Sequence, residues 1–353
     1  MSRPLVSVLI DTYNHERFIE QAITSVLEQD ISTADLEVVV VDDGSTDRTP
    51  EIVRTFEPRV RLLRKSNGGQ ASAFNLALPQ LRGDVIAMLD GDDWWVPEKL
   101  RRAVETLERN PDVGIVGHGQ FEAYRDGRPN GLVLPGREYR VDLSSVQNAE
   151  LFRNLSGFLG TSKMTIRKSV LERILPVPEE LVIEADEYIF TLAPAIAPAI
   201  ILNEPLFYYG FHPGNLFQFA RFDPQKVRRK MHVLEVLLRE LPSRMHEFGV
   251  TKQAIEANFR GARVEAERMR LSLDGGHPFR TFAVEREAYR TSYTTAPWRY
   301  RLFQAFVLAQ ALLLPPKTFY RLRRWYSEKR LSRFRTWAGT PVPAVAMVER
   351  RVA

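Results

Sequence analysis

The stretch Val85–Pro97, VIAMLDGDDWWVP, constrains this chain more than any other. A short apolar run, Val85 to Leu89, stops abruptly at Asp90, Gly91, Asp92 and Asp93. Runs of this length bounded by turn residues read as strands buried on both faces. Carboxylates crowded at the mouth of such a strand repel one another unless positive charge sits among them. A hard divalent cation carrying a phosphorylated ligand meets that need, because Mg²⁺ is usually held by one or two carboxylates plus substrate phosphates. The competing reading is a solvated acidic turn that caps a helix starting near Pro97.

The flanking pattern extends the picture. Leu5–Asp11, Leu36–Val41 and Val60–Leu63 predict three further strands. Ile19, Ala22, Ile23, Val26 and Leu27 have helical spacing. Thr46 or Asp47 caps a helix running to about Phe56, Ala71–Leu78 is a short helix, and Glu98–Arg109 another. Strands alternating with helices imply an α/β fold with a doubly wound, mostly parallel, Rossmann-like sheet. Ligands of such sheets bind beyond the carboxyl ends of the strands. Here those ends carry Asp11, Asp42 with Asp43, and Asp90 with Asp92 and Asp93, so acid converges on one electronegative crevice.

After Asn110 the pattern changes. Val113–Val116 is a strand, and Gln120–Tyr124 and Leu132–Leu134 flank Asp126-Gly127 as a hairpin. Leu143–Asn154 reads as a helix, as does the apolar run Tyr188–Ala197, while Ala199–Leu202 and Leu206–Phe211 are two short strands. From Pro224 an amphipathic helix begins, and another spans about Thr251–Leu273. Charge divides along the same line. From Lys226 onward there are 26 Lys and Arg against 11 Asp and Glu, and before it 23 against 33. Two modules are expected: an α/β domain over 1–222 and a basic, helical region over 223–353. The chain has no cysteine, which excludes disulfides and thiolate metal sites. MSRPLVSVLID leaves no room for a signal peptide before the first strand, and no run reaches the roughly 18 apolar residues of a membrane span. A cytoplasmic protein at the inner face of the membrane is expected.

Four segments in this order, VSVLIDTYN (Val6–Asn14), LEVVVVDDGST (Leu36–Thr46), NGGQASAFN (Asn67–Asn75) and GDVIAMLDGDDWWVP (Gly83–Pro97), resemble the motifs of family 2 glycosyltransferases with the GT-A fold. Ala185-Asp186-Glu187 is similar to the family's later acidic motif, and His212-Pro213-Gly214-Asn215 sits where such enzymes often carry a histidine. The resemblance covers about residues 4–215. It implies an inverting, nucleotide-sugar-dependent transferase, with UDP-sugar the commonest donor in the family and Mg²⁺ or Mn²⁺ as cofactor. The donor-binding residues it implies are Asp11, Tyr13, Asp42, Asp43, Asn67, Gln70, Asp90 and Gly91, with Asp42 preferred for the base. Asp43 has the alternative of capping the helix near Thr46. Asp92 is the implied metal ligand, with Asp90 and His212 beside it, and Asp93 either supports them or caps the next helix. Gly91 would leave room for the diphosphate. Asp186 matches the catalytic base, unless the register shifts to Glu184 or Glu187; its alternative is the first-turn acid of a helix. Trp94 or Trp95 stacks on a sugar of donor or acceptor, or wedges into the core. Where the family often has Arg two residues before the histidine, this chain has Gly210.

The tail has its own character. A largely apolar run from Leu302 to Leu314 ends at Pro315-Pro316, and Phe319, Tyr320, Arg321, Arg323, Arg324, Trp325, Tyr326, Lys329, Arg330 and Arg333 follow. Residues 298–335 thus read as a segment lying in an anionic membrane interface, beside a glycan or lipid-linked acceptor. The alternatives are packing against the catalytic domain or a dimer contact. The acidic crevice argues against a nucleic-acid partner. Two rival functions stand beside sugar transfer: a sugar-phosphate nucleotidyltransferase, disfavoured because Asp11-Thr12-Tyr13-Asn14 is neither Gly-rich nor basic, and a non-catalytic nucleotide-binding scaffold.

Overall fold

A computed structural model describes residues 4–32, 34–124, 128–212, 223–292, 298–329 and 348–350. The hairpin tip Asp126-Gly127, the residues Pro213–Asn215, and Arg330 and Arg333 lie outside the described residues. In chain order the strands are β1 (Leu5–Thr12), β2 (Asp35–Asp42), β3 (Val60–Arg64), β4 (Val85–Asp90), β5 (Trp94–Trp95), β6 (Ile115–Tyr124), β7 (Pro129–Leu134), β8 (Tyr139–Val141), β9 (Thr165–Arg167), β10 (Ala199–Phe211) and β11 (Val348–Arg350). The helices are α1 (Ile19–Leu27), α2 (Thr49–Arg54), α3 (Gln70–Ala77), α4 (Lys99–Arg109), α5 (Val146–Leu155), α6 (Lys168–Ile174), α7 (Ala185–Ile196), α8 (Pro224–Glu247), α9 (Lys252–Asp274), α10 (Pro278–Ser292), α11 (Trp298–Leu313) and α12 (Pro316–Lys329).

The first compact unit comprises Met1–Gln218, Leu241–Ile255 and Met347–Ala353. Its sheet runs β11-β7-β6-β9-β4-β1-β2-β3, with the β4-β1-β2-β3 block parallel and β9 antiparallel between β4 and β6. β10 lies parallel to β6 and also pairs with β5 and β8. The apolar runs form strands because both sheet faces are covered. Val6, Val8, Ile10, Val38, Val40, Val85, Ala87 and Leu89 pack against Ile19, Ile23 and Val26 of α1 and Leu100, Ala103, Val104 and Leu107 of α4. Alternate residues Leu9, Val39, Ile86 and Met88 are equally buried.

Several boundaries differ from the sequence expectation. The two predicted strands around Gly117-His118-Gly119 are one, β6. These glycines mark close approach rather than a break: a Cβ on Gly117 would meet Phe158 O at 2.2 Å. The strands on either side of Asn203 are likewise one, β10, and Pro205 is absorbed as register shifts in its pairing with β6. The helix expected to run to Phe56 is the short α2, and α5 starts later than expected, at Val146, because Ser145 caps it through Asn148 N at 3.1 Å.

The second unit comprises Phe219–Glu240 and Glu256–Ala346. It is helical, with Leu271, Val307, Ala311, Phe319 and Tyr320 buried together. The fully buried acid Glu285 accepts from Arg268 Nε and Nη2 at 2.9 and 2.7 Å, from the Tyr320 hydroxyl at 3.1 Å, and from Arg323.

Candidate active site

The parallel register aligns the acids along one sheet edge. Asp90 of β4 sits beside Asp11 of β1, Thr12 beside Asp42 of β2, and Asp42 beside Arg64 of β3. The loops leaving β1 and β2 are then stitched together. Asn14 N donates to Ser45 Oγ at 2.8 Å, Thr46 N to Asn14 Oδ1 at 2.8 Å, and His15 N to Thr49 Oγ1 at 2.9 Å. Asn14 adopts φ 58°, a left-handed conformation that Asn tolerates.

Asp42 and Asp43 face protein donors. The Asp42 carboxylate is wholly buried, accepting from Ser45 N at 3.0 Å and Arg64 Nε at 3.0 Å. That leaves it no exposed surface for a base, so the sequence preference for Asp42 over Asp43 finds no support in this geometry. Asp43 does not cap a helix. It organises the Asn67–Gly69 turn, accepting from Lys65 Nζ at 2.8 Å, Gly68 N at 3.0 Å and Gly69 N at 2.7 Å. Asp47 instead serves the start of α2, accepting from Thr49 N at 3.0 Å. Asn67 is exposed in this turn, and Tyr13 is exposed at the end of β1.

The acids after β4 part ways. Asp92 Oδ2 lies 2.9 Å from His212 Nε2 and 4.0 Å from His15 Nε2. Burial opposes ionisation of Asp92, but the His212 hydrogen bond and the His15 ring hold its pKa below the usual carboxylate value. Asp93 turns inward, accepting from Ser162 Oγ at 2.6 Å and Gly210 N at 3.0 Å, so it does not cap α4. The side-chain direction of Gly91 is filled: a Cβ there would meet Thr12 Oγ1 at 2.7 Å and His15 Nδ1 at 2.9 Å. A side chain on Gly210 would meet Asp92 O at 2.6 Å, which accounts for the missing arginine.

Asp186, nearly a hundred residues later in the chain, joins this cluster through neutral side chains. Thr161 N donates to Asp186 Oδ2 at 2.9 Å. Gln70 accepts from Ala185 N at 2.9 Å, and its Nε2 lies 3.4 Å from Asp11 Oδ2, 3.5 Å from Asp90 Oδ1 and 3.4 Å from Thr161 Oγ1. Asp186, in the first turn of α7, is thereby tied to Thr161. Burial raises its pKa, against the Thr161 hydrogen bonds. Burial likewise pushes Asp11 to about 7, helped by Asp186 and Asp92 and opposed by Gln70, and raises Asp90 well above the ordinary carboxylate value, helped by Asp11 and Asp93.

Trp94 and Trp95 have different surroundings. Trp95 is 3% exposed, donates from Nε1 to Ser162 O at 2.8 Å, and carries Lys99 Nζ 3.7 Å from its ring. It is a core post and cannot stack on a sugar. Trp94 is half-buried and stacks on Tyr208 at 5.3 Å. Sequence reading missed Gln70 as the hub, and also His15, Thr161, Ser162 and Lys163. Lys163 donates to Gly157 O at 2.6 Å; burial lowers its pKa to about 8, against the pull of Asp93 and Asp186. The His15 ring, one residue past the quoted TYN motif, was the one readable signal.

Among the described residues, no three His, Asp or Glu side chains already form a metal cage. The donor set still fits a hard divalent ion whose remaining ligands come from phosphate oxygens, with Asp92 flanked by two imidazoles and Asp11 Oδ1 buried without a partner.

The model of glycosyl transferase family 2 matches residues 7–175. Residues 7–175 belong to glycosyl transferase family 2. The chain is 32% identical over 225 residues to an uncharacterized glycosyltransferase of Nostoc sp., which covers 60% of this chain and 66% of the relative. It is 38% identical over 128 residues to the uncharacterized glycosyltransferase EpsJ of Bacillus subtilis, covering 35% of this chain and 36% of that one. The chain thus spans at most about two thirds of these relatives. Residues 1–349 of TarS from S. aureus, solved with UDP-GlcNAc, superpose with a TM-score of 0.58 at 20% identity, covering 92% of this chain and 91% of that one. This likeness shows the GT-A fold.

Proposed function

We propose that residues 1–222 transfer a sugar from a nucleoside diphosphate sugar, with UDP-sugar favoured, to an acceptor hydroxyl in glycan, polysaccharide or glycolipid assembly, by single displacement with inversion. The observation that carries this reading is the link through Gln70 and Thr161, which ties Asp186 to Asp11 and Asp90 at the strand ends. One acid is thereby held beside the group of acids suited to a bound diphosphate. The membership of family 2 and the solution of TarS with UDP-GlcNAc and with UDP support the donor class.

Asp92 and His212, with Asp90 nearby, would hold Mg²⁺ or Mn²⁺, which when bound neutralises charge on the departing diphosphate. Asp11 and Gln70 line the donor side. Asp186 receives the proton of the attacking hydroxyl, and its raised pKa makes it a stronger base than a solvated aspartate. Thr161 N–H donates to Asp186 Oδ2 and so orients the carboxylate. No second carboxylate is assigned as a covalent nucleophile, in keeping with one inverting step.

Thermal shift with UDP, GDP and dTDP, each with and without Mn²⁺, tests the reading, because a ligand of the folded state raises the melting temperature. UDP with Mn²⁺ is expected to stabilise the wild type, and Asp92→Ala to lose the metal-dependent part. A nucleotide shift indifferent to both metal and Asp92 would overturn the assignment.

A further inference from the structure

Helix α11 has two apolar faces, and only one of them is covered. Val307 and Ala311 are buried with Leu271, Phe319 and Tyr320, and Phe303 and Leu314 pack against the same cluster. On the other side Leu302, Ala305, Phe306, Ala309, Leu312 and Leu313 are all exposed. Their spacing of three and four residues makes them one stripe along the whole helix. The large members are exposed by 62% at Leu302, 57% at Phe306, 37% at Leu312 and 80% at Leu313. A stripe this long on a water-facing helix is uncommon, since apolar residues on soluble surfaces are usually scattered singly.

Charge says what covers it. Between Trp298 and Lys329 the sequence holds seven Lys and Arg, and Glu328 is its single acid. Arg301 at the start of the stripe is exposed, and so are Lys317 and Arg321 on α12, which follows directly. A second copy of the chain would bring its own positive charge to the same contact. An anionic lipid surface instead offers apolar depth for the leucines and phenylalanine and phosphates for the cations. Among the described residues no helix is long and apolar enough to cross a membrane, so a segment of this kind lies in the interface.

We infer that the exposed face of α11, Leu302–Phe306–Ala309–Leu313, docks in the plane of an anionic membrane, with Arg301, Lys317 and Arg321 on lipid phosphates. The contact lies wholly within the second unit and does not rest on the donor chemistry of the first.

The test is cosedimentation of the full chain with vesicles of phosphatidylcholine alone and of phosphatidylcholine mixed with phosphatidylglycerol. Binding to the mixed vesicles is expected, weakening as salt is added. Leu302→Glu with Phe306→Glu is expected to lower the partition coefficient at least about tenfold, because each replaces a buried apolar side chain with a charge. Lys317→Glu with Arg321→Glu is expected to remove most of the preference for anionic lipid. UDP-induced thermal stabilisation, followed in the same variants, is expected to be unchanged, which separates failure of this contact from failure of the sugar-transfer reading. Equal binding of Leu302→Glu/Phe306→Glu and wild type to mixed vesicles would overturn the inference. So would a concentration-dependent dimer in sedimentation velocity that this double variant abolishes, since the stripe would then be a contact between copies.

Discussion

Gly69→Ala gives a sharp test of how the crevice is built. Gly69 has φ 85° and ψ 172°, a conformation open essentially to glycine alone, and placing another residue there costs about 1–3 kcal/mol. The added methyl has no space: it would lie 2.5 Å from Val182 Cα and 2.7 Å from Val182 O, both backbone atoms. Relieving that clash moves the turn that carries Gly69 N onto Asp43 at 2.7 Å, and weakening a hydrogen bond to a charged group costs about 1.5–3 kcal/mol. Together these give roughly 3–5 kcal/mol. Gly249 serves as the control in the same unit. It too has positive φ, 87°, but a Cβ there meets nothing within 4 Å, so Gly249→Ala costs only the conformational part, about 1–2 kcal/mol. Equilibrium urea unfolding of the two variants, compared at constant m-value, is the assay. Gly69→Ala is expected to be the less stable by about 2 kcal/mol. Equal losses for the two variants would refute the account of how the turn holds Gln70 in place.

Other consequences follow from the same contacts. Asp186 has a raised pKa in the folded protein, so its charged form contributes stability only by being absent: the contribution is full below the unfolded value and lost as pH rises through the folded one. Asp186→Asn should therefore be more stable than wild type at neutral pH by chemical denaturation, while the acid limb of wild-type turnover lies above the ordinary aspartate range. Trp95→Phe should destabilise by about 1–3 kcal/mol through loss of its bond to Ser162 O, whereas Trp94→Ala should cost about 1 kcal/mol or less and act on the KM for sugar. In the second unit Glu285→Gln removes the charge shared by Arg268, Arg323 and Tyr320. A broken buried pair costs about 3–5 kcal/mol; with both arginines partly exposed, about 2–4 kcal/mol is expected in urea unfolding.

The parts of this protein that repeat along the chain were legible in its sequence. Valine-rich runs ending in acid identified the parallel strands and the edge where Asp11 and Asp90 meet. Spacing alone did not find Asp186, which looked like an ordinary first-turn acid and was singled out only by resemblance. Its connection to the crevice runs through Gln70 and Thr161, neutral residues with no periodicity or charge pattern to mark them. In sequence, Trp95 stays open between core and sugar contact, and Gly91 reads as room for a diphosphate, for a related reason. A ring that seals the core and a glycine that yields space to Thr12 and His15 look, in sequence, the same as a sugar platform and an open gap. The breaks expected in β6 and β10 failed because tertiary pairing carried both strands through their Gly and Pro residues.

The central claim is that Asp186 acts on the acceptor while Asp11, Gln70 and Asp92 serve the donor. Turnover of a panel of UDP-sugars, read as UDP released, together with UDP affinity by calorimetry, tests it in wild type and Asp186→Asn. The account predicts turnover reduced by about 10²–10⁴, the contribution of a general base, with UDP affinity within about twofold of wild type. Unchanged turnover, or a loss of UDP binding that parallels the loss of turnover, would contradict it.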